Sequence, residues 1–139
     1  MKEFEAVIFM EPVAKGRAKP TVVGGKPKMY TPEKTVKAES QVIAQIRRKI
    51  GPRGILFDDK TPLYLGAIFY INKPKSVSKR ITMPITRPDI DNYEKLLTDA
   101  LSGFLYPNDK QIVSSYTRKR YCLDGQVPRI EFKIREESL

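Results

Sequence analysis

The sequence contains no histidine, no tryptophan and a single cysteine, Cys122. Without histidine, the chain cannot build a serine or cysteine catalytic triad, a mixed cysteine and histidine zinc site, or a nuclease site that uses histidine. The lone thiol cannot form an intramolecular disulfide. Any acid or base catalysis therefore depends on carboxylates, lysine, tyrosine or a metal ion.

Long apolar runs are also absent, and basic residues outnumber acidic ones. No segment approaches the roughly 20 apolar residues that a transmembrane helix requires. The first residues, Met-Lys-Glu, do not resemble a signal peptide, so we expect a cytoplasmic protein without membrane association. With 26 Lys and Arg against 16 Asp and Glu, the 139-residue chain has a formal net charge of +10. Such an excess indicates a polyanionic partner.

The apolar pattern predicts one compact α/β domain spanning residues 1–139, with a mixed β-sheet and two main helices. Strands are predicted at residues 3–10, 63–71, 111–121 and 127–135, and helices at residues 32–50 and 89–104. The predicted apolar stripe of the first helix includes Val36, Ile43, Ile46 and Ile50. A Gly24-Gly25 pair predicts a short hairpin within residues 12–32. That segment and residues 72–87 are rich in Lys and Arg and contain no acid.

Acidic residues concentrate in the second predicted helix and the turn after it. Five of the 16 acids fall within 21 residues: Asp89, Asp91, Glu94, Asp99 and Asp109. At about 100° per residue, Asp91, Lys95 and Asp99 share a stripe that faces away from the core. The turn at Pro107-Asn108 can return Asp109 towards the same place.

This acidic cluster has two interpretations. The acids could cap the helix and form i, i+4 ion pairs on a solvated face. Alternatively, they could hold a cation, because carboxylates that face phosphates repel DNA unless a cation lies between them. Hard oxygen ligands suit Mg²⁺ or Mn²⁺, and such a metal ion could support displacement at phosphorus. Lys95, between two acids, could then neutralise charge developing on the phosphate.

The motif from Arg87 to Lys95 (RPDIDNYEK), with Asp99-Ala100-Leu101 and then Asn108 to Ile112 (NDKQI), resembles the RusA family of Holliday junction resolvases from bacteria and prophages. Weaker similarities extend the resemblance from about Pro12 to Tyr121. It implies a homodimeric, Mg²⁺-dependent endonuclease that nicks four-way DNA junctions symmetrically during recombination and repair.

By motif position, the resemblance implies that Asp89, Asp91 and Asp109 are metal-binding carboxylates and that Lys95 is a catalytic lysine. Asp99 falls on a further family acid and is a possible additional carboxylate. Asn108 departs from the pattern, since many members carry a second aspartate there, and this places the metal-binding role on Asp109.

The basic segments are then expected to bind the phosphate backbone of branched DNA. The residues predicted for this role are Lys15, Arg17, Lys19, Lys73, Lys75, Lys79, Arg80 and Arg87. Two alternatives remain open at this point. The protein could be a non-catalytic nucleic-acid-binding protein, or a nuclease for flaps and other branched DNA.

Overall fold

In a computed structural model that describes residues 2–52 and 54–139, the chain forms six strands and two α-helices. These are β1 (Glu3–Ile8), β2 (Lys19–Val23), β3 (Lys26–Tyr30), α1 (Glu33–Ile50), β4 (Leu63–Ile71), α2 (Ile90–Leu101), β5 (Ile112–Tyr121) and β6 (Arg129–Glu136). A single turn of 3-10 helix, Asp109–Gln111, precedes β5. The predicted elements are all present with small shifts at their ends, and the α/β class is confirmed.

Four strands form a mixed sheet in the order β1-β6-β4-β5. β6 lies antiparallel to both β1 and β4, whereas β4 and β5 run parallel. A parallel pair needs a crossover connection, and here α2 supplies it. α2 therefore lies beside β5, and the turn at Asp109–Gln111 stands where β5 begins.

Both helices cover the same face of the sheet, and the core lies between them and it. On β4 the inward side chains alternate along the strand, and Leu63, Leu65, Ala67 and Phe69 are all buried. On α2 the buried side chains include those predicted to face the core, namely Tyr93, Leu96, Leu97, Ala100 and Leu101. Phe69 stacks on Tyr93 with ring centroids 5.5 Å apart, which joins the helix to the sheet.

The buried stripe of α1 differs from the prediction most clearly near its N-terminal end. Val36 is 49% exposed, and Thr35 takes the inward position instead. Thr35 can be buried because its Oγ1 accepts a hydrogen bond from the backbone N–H of Gly16, 3.0 Å away. Ile46 is buried as expected. The hydroxyl of Thr35 thus ties the segment between β1 and β2 to the first helix.

The opposite face of the sheet is not covered by a helix. Arginines stack there on tyrosines, with the Arg129 guanidinium carbon 3.8 Å from the centre of the Tyr70 ring and that of Arg135 4.1 Å from the Tyr64 ring. A shallow groove of about 500 Å³ crosses this face at Gly66. It lies away from the acidic cluster.

The strands β2 and β3 form a separate antiparallel pair outside the main sheet, which we call the ribbon. The two glycines between them, Gly24 and Gly25, have φ angles of +59° and +77°. Such positive values at both central residues characterise tight hairpin turns and favour glycine. The predicted hairpin is therefore confirmed.

Within the part of the chain that the structure describes, neither helix is long and apolar enough to cross a bilayer.

Candidate active site

The acidic cluster begins at the N-terminus of α2. Asp89 is the residue before the helix, in an extended conformation, and its side chain makes no capping hydrogen bond. Asp91 and Lys95 are exposed one turn apart, and Asp99 is half-buried one turn further along. The opposite side of the helix is buried, so the stripe faces outwards as the helical spacing predicts.

Asp109 reaches this stripe from the turn that follows α2. The turn is anchored from within, because buried Tyr106 donates a hydrogen bond from its hydroxyl to the carbonyl of Thr98, 3.0 Å away. Burial raises the pKa of Tyr106, so this donor stays protonated. The Asn108 side chain accepts from the backbone of Lys110, and the Gln111 side chain accepts from the N–H of Asn108. This reciprocal pair holds the turn that carries Asp109.

Gln111 also fixes the turn to the connector that leads into β4. Its amide nitrogen donates to the carbonyls of Asp58, at 2.7 Å, and Thr61, at 3.1 Å. The residue is only 8% exposed, and these bonds satisfy its buried amide. Asp109 is thereby held against the body of the protein from two sides.

Lys95 lies between two carboxylates. Its Nζ is 3.0 Å from Asp99 Oδ1 and 3.6 Å from Asp109 Oδ2. The hydrogen bond from Lys95 to Asp99, together with the charges of both acids, raises the pKa of Lys95. The ammonium therefore stays charged, in contact with both carboxylates.

A second lysine holds Asp99 from the other side. Lys15 Nζ lies 3.2 Å from Asp99 Oδ2 and 3.3 Å from Glu39 Oε1 of α1. The backbone N–H of Lys15 also donates to the carbonyl of Asn92, 2.9 Å away. Asp99 thus bridges two lysines, one from the segment before the ribbon and one from its own helix. We call these five side chains, Lys15, Glu39, Lys95, Asp99 and Asp109, the ion-pair chain.

A cleft of about 270 Å³ opens beside Lys95, and we call it the active-site cleft. Its lining consists of Asp91, Glu94, Lys95, Thr98, Asp109, Ile112 and Ser115. A neighbouring pocket is lined by Arg17, Arg87, Pro88, Asp89 and Asn92. The structure therefore brings Asp91, Lys95 and Asp109 together in one cleft, whereas Asp89 lines the adjacent pocket together with Arg17 and Arg87.

The donors in the cleft suit a hard divalent cation. Asp91, Glu94 and Asp109 supply carboxylate oxygens, and Mg²⁺ is typically held by one or two carboxylates with the remaining positions left to water and substrate phosphate. Across residues 2–52 and 54–139, no three acidic or cysteine side chains lie close enough to form a ready-made ligand cluster. The cleft thus fits a cation that shares its coordination with the substrate better than one enclosed by protein alone.

The predicted DNA-binding residues fall into two groups. Arg17, Lys19, Lys75, Lys79, Arg80 and Arg87 are exposed. Lys15 is partly buried in the ion-pair chain, and Lys73 is partly buried with its Nζ 5.8 Å from the centre of the Tyr121 ring. A phosphate-binding role for each of the eight stays a prediction.

Three contributors to the site were not expected from sequence: the inward turn of Lys15, its partner Glu39 on α1, and the anchor Gln111. The pattern Asn108-x-x-Gln111 is that of a capping box, so a sequence signal existed for Gln111. Lys15 and Glu39 are separated from α2 by more than 50 residues, and no local pattern reports such a contact.

Comparison with known proteins shows the family to which the chain belongs. The family model described as "Endodeoxyribonuclease RusA" matches residues 10–135. The chain is also 34% identical over 141 residues to "Uncharacterized protein YqaN" of Bacillus subtilis (strain 168), and the match covers 94% of each chain. The class is therefore that of endodeoxyribonucleases, enzymes that hydrolyse DNA internally. Within that class, the chain belongs to the RusA family, whose members are metal-dependent and act on branched DNA junctions.

Proposed function

We propose that this protein is a Mg²⁺-dependent Holliday junction resolvase that cuts four-way junctions by paired symmetric nicks during recombination and repair. Residues 1–139 would act as one catalytic domain. The observation that carries the proposal is the active-site cleft, in which Asp91, Asp109 and Lys95 converge although the chain as a whole is strongly basic. Family membership supports it independently.

Asp91 and Asp109 would hold the cation, and Asp89 would join them from the adjacent pocket. When bound, the cation would offset the charge of the scissile phosphate and favour attack by water, and Mn²⁺ could replace Mg²⁺ because both prefer oxygen donors. Arg17 and Arg87 line the same pocket as Asp89 and would bind a neighbouring phosphate of the same strand. The carboxylates and arginines would thus fix the strand across the cleft.

Lys95 would stabilise negative charge on the phosphate during the reaction. Its ammonium remains protonated because Asp99 raises its pKa. Asp99 would act through Lys95, as a positioning residue, since Lys15 holds the other oxygen of the same carboxylate. Asp99 would therefore aim the lysine rather than bind the cation.

A homodimer matches the substrate. A four-way junction offers two equivalent strands, and each subunit has one active-site cleft. A two-fold pair of subunits would place one cleft at each strand and allow coordinated nicks. The expected bacterial or prophage origin and cytoplasmic location are consistent with such a substrate, and the Bacillus subtilis relative supports a bacterial setting.

The test compares the unmodified protein with Asp91→Asn on a mobile four-way junction, a flap and a linear duplex. With Mg²⁺, the unmodified protein should produce symmetric nicks in the junction, and Asp91→Asn should bind it with unchanged affinity but not cut it. Asp124→Asn is the matched control, because Asp124 is an exposed acid in the turn between β5 and β6.

Each alternative activity gives a different result in the same assay. Cleavage of the flap in preference to the junction would identify a nuclease for other branched DNA. Absence of cleavage with Mg²⁺ and with Mn²⁺, despite tight binding, would identify a non-catalytic DNA-binding protein. Either result would overturn the proposed resolvase activity.

A further inference from the structure

The ribbon has no part in the hydrophobic core. Every one of its residues is exposed except Thr21, which is half-buried. Val22 is 70% exposed and Met29 is 65% exposed, high values for large apolar side chains on a two-stranded element. An isolated pair of strands is marginally stable in water, so exposed apolar groups there call for a partner.

The register of the ribbon sorts its side chains onto two unlike faces. Lys19 pairs with Tyr30, Pro20 with Met29, Thr21 with Lys28, Val22 with Pro27 and Val23 with Lys26. Because paired residues share a face and faces alternate along a strand, all three lysines lie on one face. The other face consists entirely of Pro20, Val22, Pro27 and Met29. One face is therefore cationic and the other apolar.

The two prolines make a protein strand an unsuitable partner. Val23 and Lys26 close the two-residue turn, so the alternating pattern makes Pro20-Met29 and Val22-Pro27 the pairs without mutual hydrogen bonds. At such positions a backbone N–H points outwards from the ribbon, and proline has none. Each outer edge thus lacks a donor, which disfavours addition of a third strand.

The cationic face matches DNA, and the position of the ribbon places it beside the active site. Arg17 lines the pocket that contains Asp89, and β2 begins two residues later, within about 7 Å of chain. A five-residue strand extends about 16 Å from that root. The ribbon therefore begins beside the pocket of Asp89 and extends at most about 16 Å from it.

Both faces can be used together only where DNA presents two kinds of surface. A regular duplex stacks its bases and offers phosphates to a ribbon lying on its backbone, which would leave the apolar face in water. A branch point offers phosphates next to the faces of bases that have lost a stacking neighbour, and apolar side chains are suited to insert there. The unlike faces of the ribbon therefore favour branched over linear DNA.

We propose that the ribbon is a branch-point wedge, with its lysines on the phosphates of one arm and Val22 and Met29 packed against the exposed bases. This inference rests on the proposed function, since it takes branched DNA as the substrate. It adds which part of the protein distinguishes a junction from a duplex, and by which contacts.

Val22 and Val23 are adjacent in the sequence and lie on opposite faces of the ribbon, so they provide a matched comparison. We would measure the affinity of the unmodified protein, the double variant Val22→Ser/Met29→Ser and the single variant Val23→Ser for a four-way junction and for a duplex of the same sequence, without a divalent cation so that nothing is cut. The double variant should lose about tenfold in junction affinity and at most about twofold in duplex affinity, since removal of such apolar side chains from water contributes by at least about such a factor. Val23→Ser should change neither.

A fluorescent base analogue at the exchange point gives a second readout. Binding of the unmodified protein should raise its emission by unstacking it, and the double variant should not. The wedge would be overturned if the double variant lost equally on junction and duplex, if Val23→Ser matched it, or if the emission rose equally with all three proteins. Because these measurements need no cleavage, failure of the wedge is distinguishable from failure of the nuclease activity.

Discussion

The active-site cleft and the ribbon, which begins two residues after Arg17 of the neighbouring pocket, are built in contrasting ways. In the cleft, Lys95 contacts two carboxylates, and the turn that carries Asp109 is fixed by hydrogen bonds from a buried glutamine. In the ribbon, nearly every side chain is exposed. Chemistry at phosphorus needs groups held in a fixed arrangement, whereas binding of a polyanion needs mainly charge that can adjust. The two regions differ in the way that their proposed roles require.

The comparison also explains the net charge. The acid-free segments at residues 12–32 and 72–87 carry much of the excess of lysine and arginine, and five of the 16 acids lie within 21 residues around α2. The value of +10 is therefore an average over surfaces of opposite character. Substitutions confined to the cleft or to the ribbon test whether the two surfaces have separate roles.

Outside the carboxylates proposed to hold the cation, the largest expected effect comes from Lys95→Ala. Removing the ammonium should lower the cleavage rate about 100-fold, because it takes away one group that stabilises charge in the reaction. Junction affinity should stay within about twofold, as measured by binding without a divalent cation. Lys34→Ala, an exposed lysine of α1, is the control for loss of charge alone. A large loss of affinity with an unchanged rate would move Lys95 from the catalytic to the binding region.

Gln111→Ala should destabilise the fold by about 2 kcal/mol, because it removes the two bonds donated to the carbonyls of Asp58 and Thr61 and the one accepted from the N–H of Asn108. Urea denaturation followed by circular dichroism measures this change. Gln126 supplies the control, since its side chain accepts one hydrogen bond, from Leu123, at an exposed turn. Equal stability of the two variants would show that the cleft is not tied to the core as the contacts indicate.

Salt should weaken DNA binding by the ribbon more than it affects binding at the cleft. Raising the salt concentration from about 50 to 200 mM should weaken junction binding steeply, since each neutralised phosphate releases counterions. Lys26→Ser/Lys28→Ser should reduce the slope of log affinity against log salt by roughly 2, one unit per lost phosphate contact. Asp91→Asn should leave this slope unchanged. A flat salt response of the unmodified protein would remove the electrostatic role of the ribbon.

The smallest expected effect is on stability when the ribbon is altered. Lys26→Ser/Lys28→Ser should change the free energy of unfolding by less than about 0.5 kcal/mol, as is usual at exposed sites. The same urea titration as for Gln111→Ala measures it. A loss comparable with that of the glutamine variant would show that the ribbon supports the fold, and the contrast between the regions would fail.

Local patterns were sufficient to predict the elements and most of the cleft. The alternation in β4, the Gly24-Gly25 turn and the helical spacing of Asp91, Lys95 and Asp99 each depend on residues that are near in sequence. Joining Asp109 to this stripe required only a short turn. Such signals predict structure well because the geometry of one element determines them.

Those local patterns could not predict contacts between segments that are distant in the sequence. Lys15 belongs to a basic segment and was assigned to DNA, yet its ammonium lies between Glu39 and Asp99. Thr35 replaced Val36 in the core because a backbone N–H from the preceding segment satisfies its hydroxyl. In both cases the deciding partner comes from another part of the chain, and only the folded arrangement reveals it.

The hydrogen bonds from Gln111 to the connector before β4 determine when the cleft can form during synthesis of the chain. They join residues 50 and 53 positions apart, and β5 supplies the last part of the cleft. A growing chain folds from its N-terminus, so the ribbon can leave the ribosome well before β5 is made. The cleft can therefore form only after the chain has been made through β5, near the end of translation.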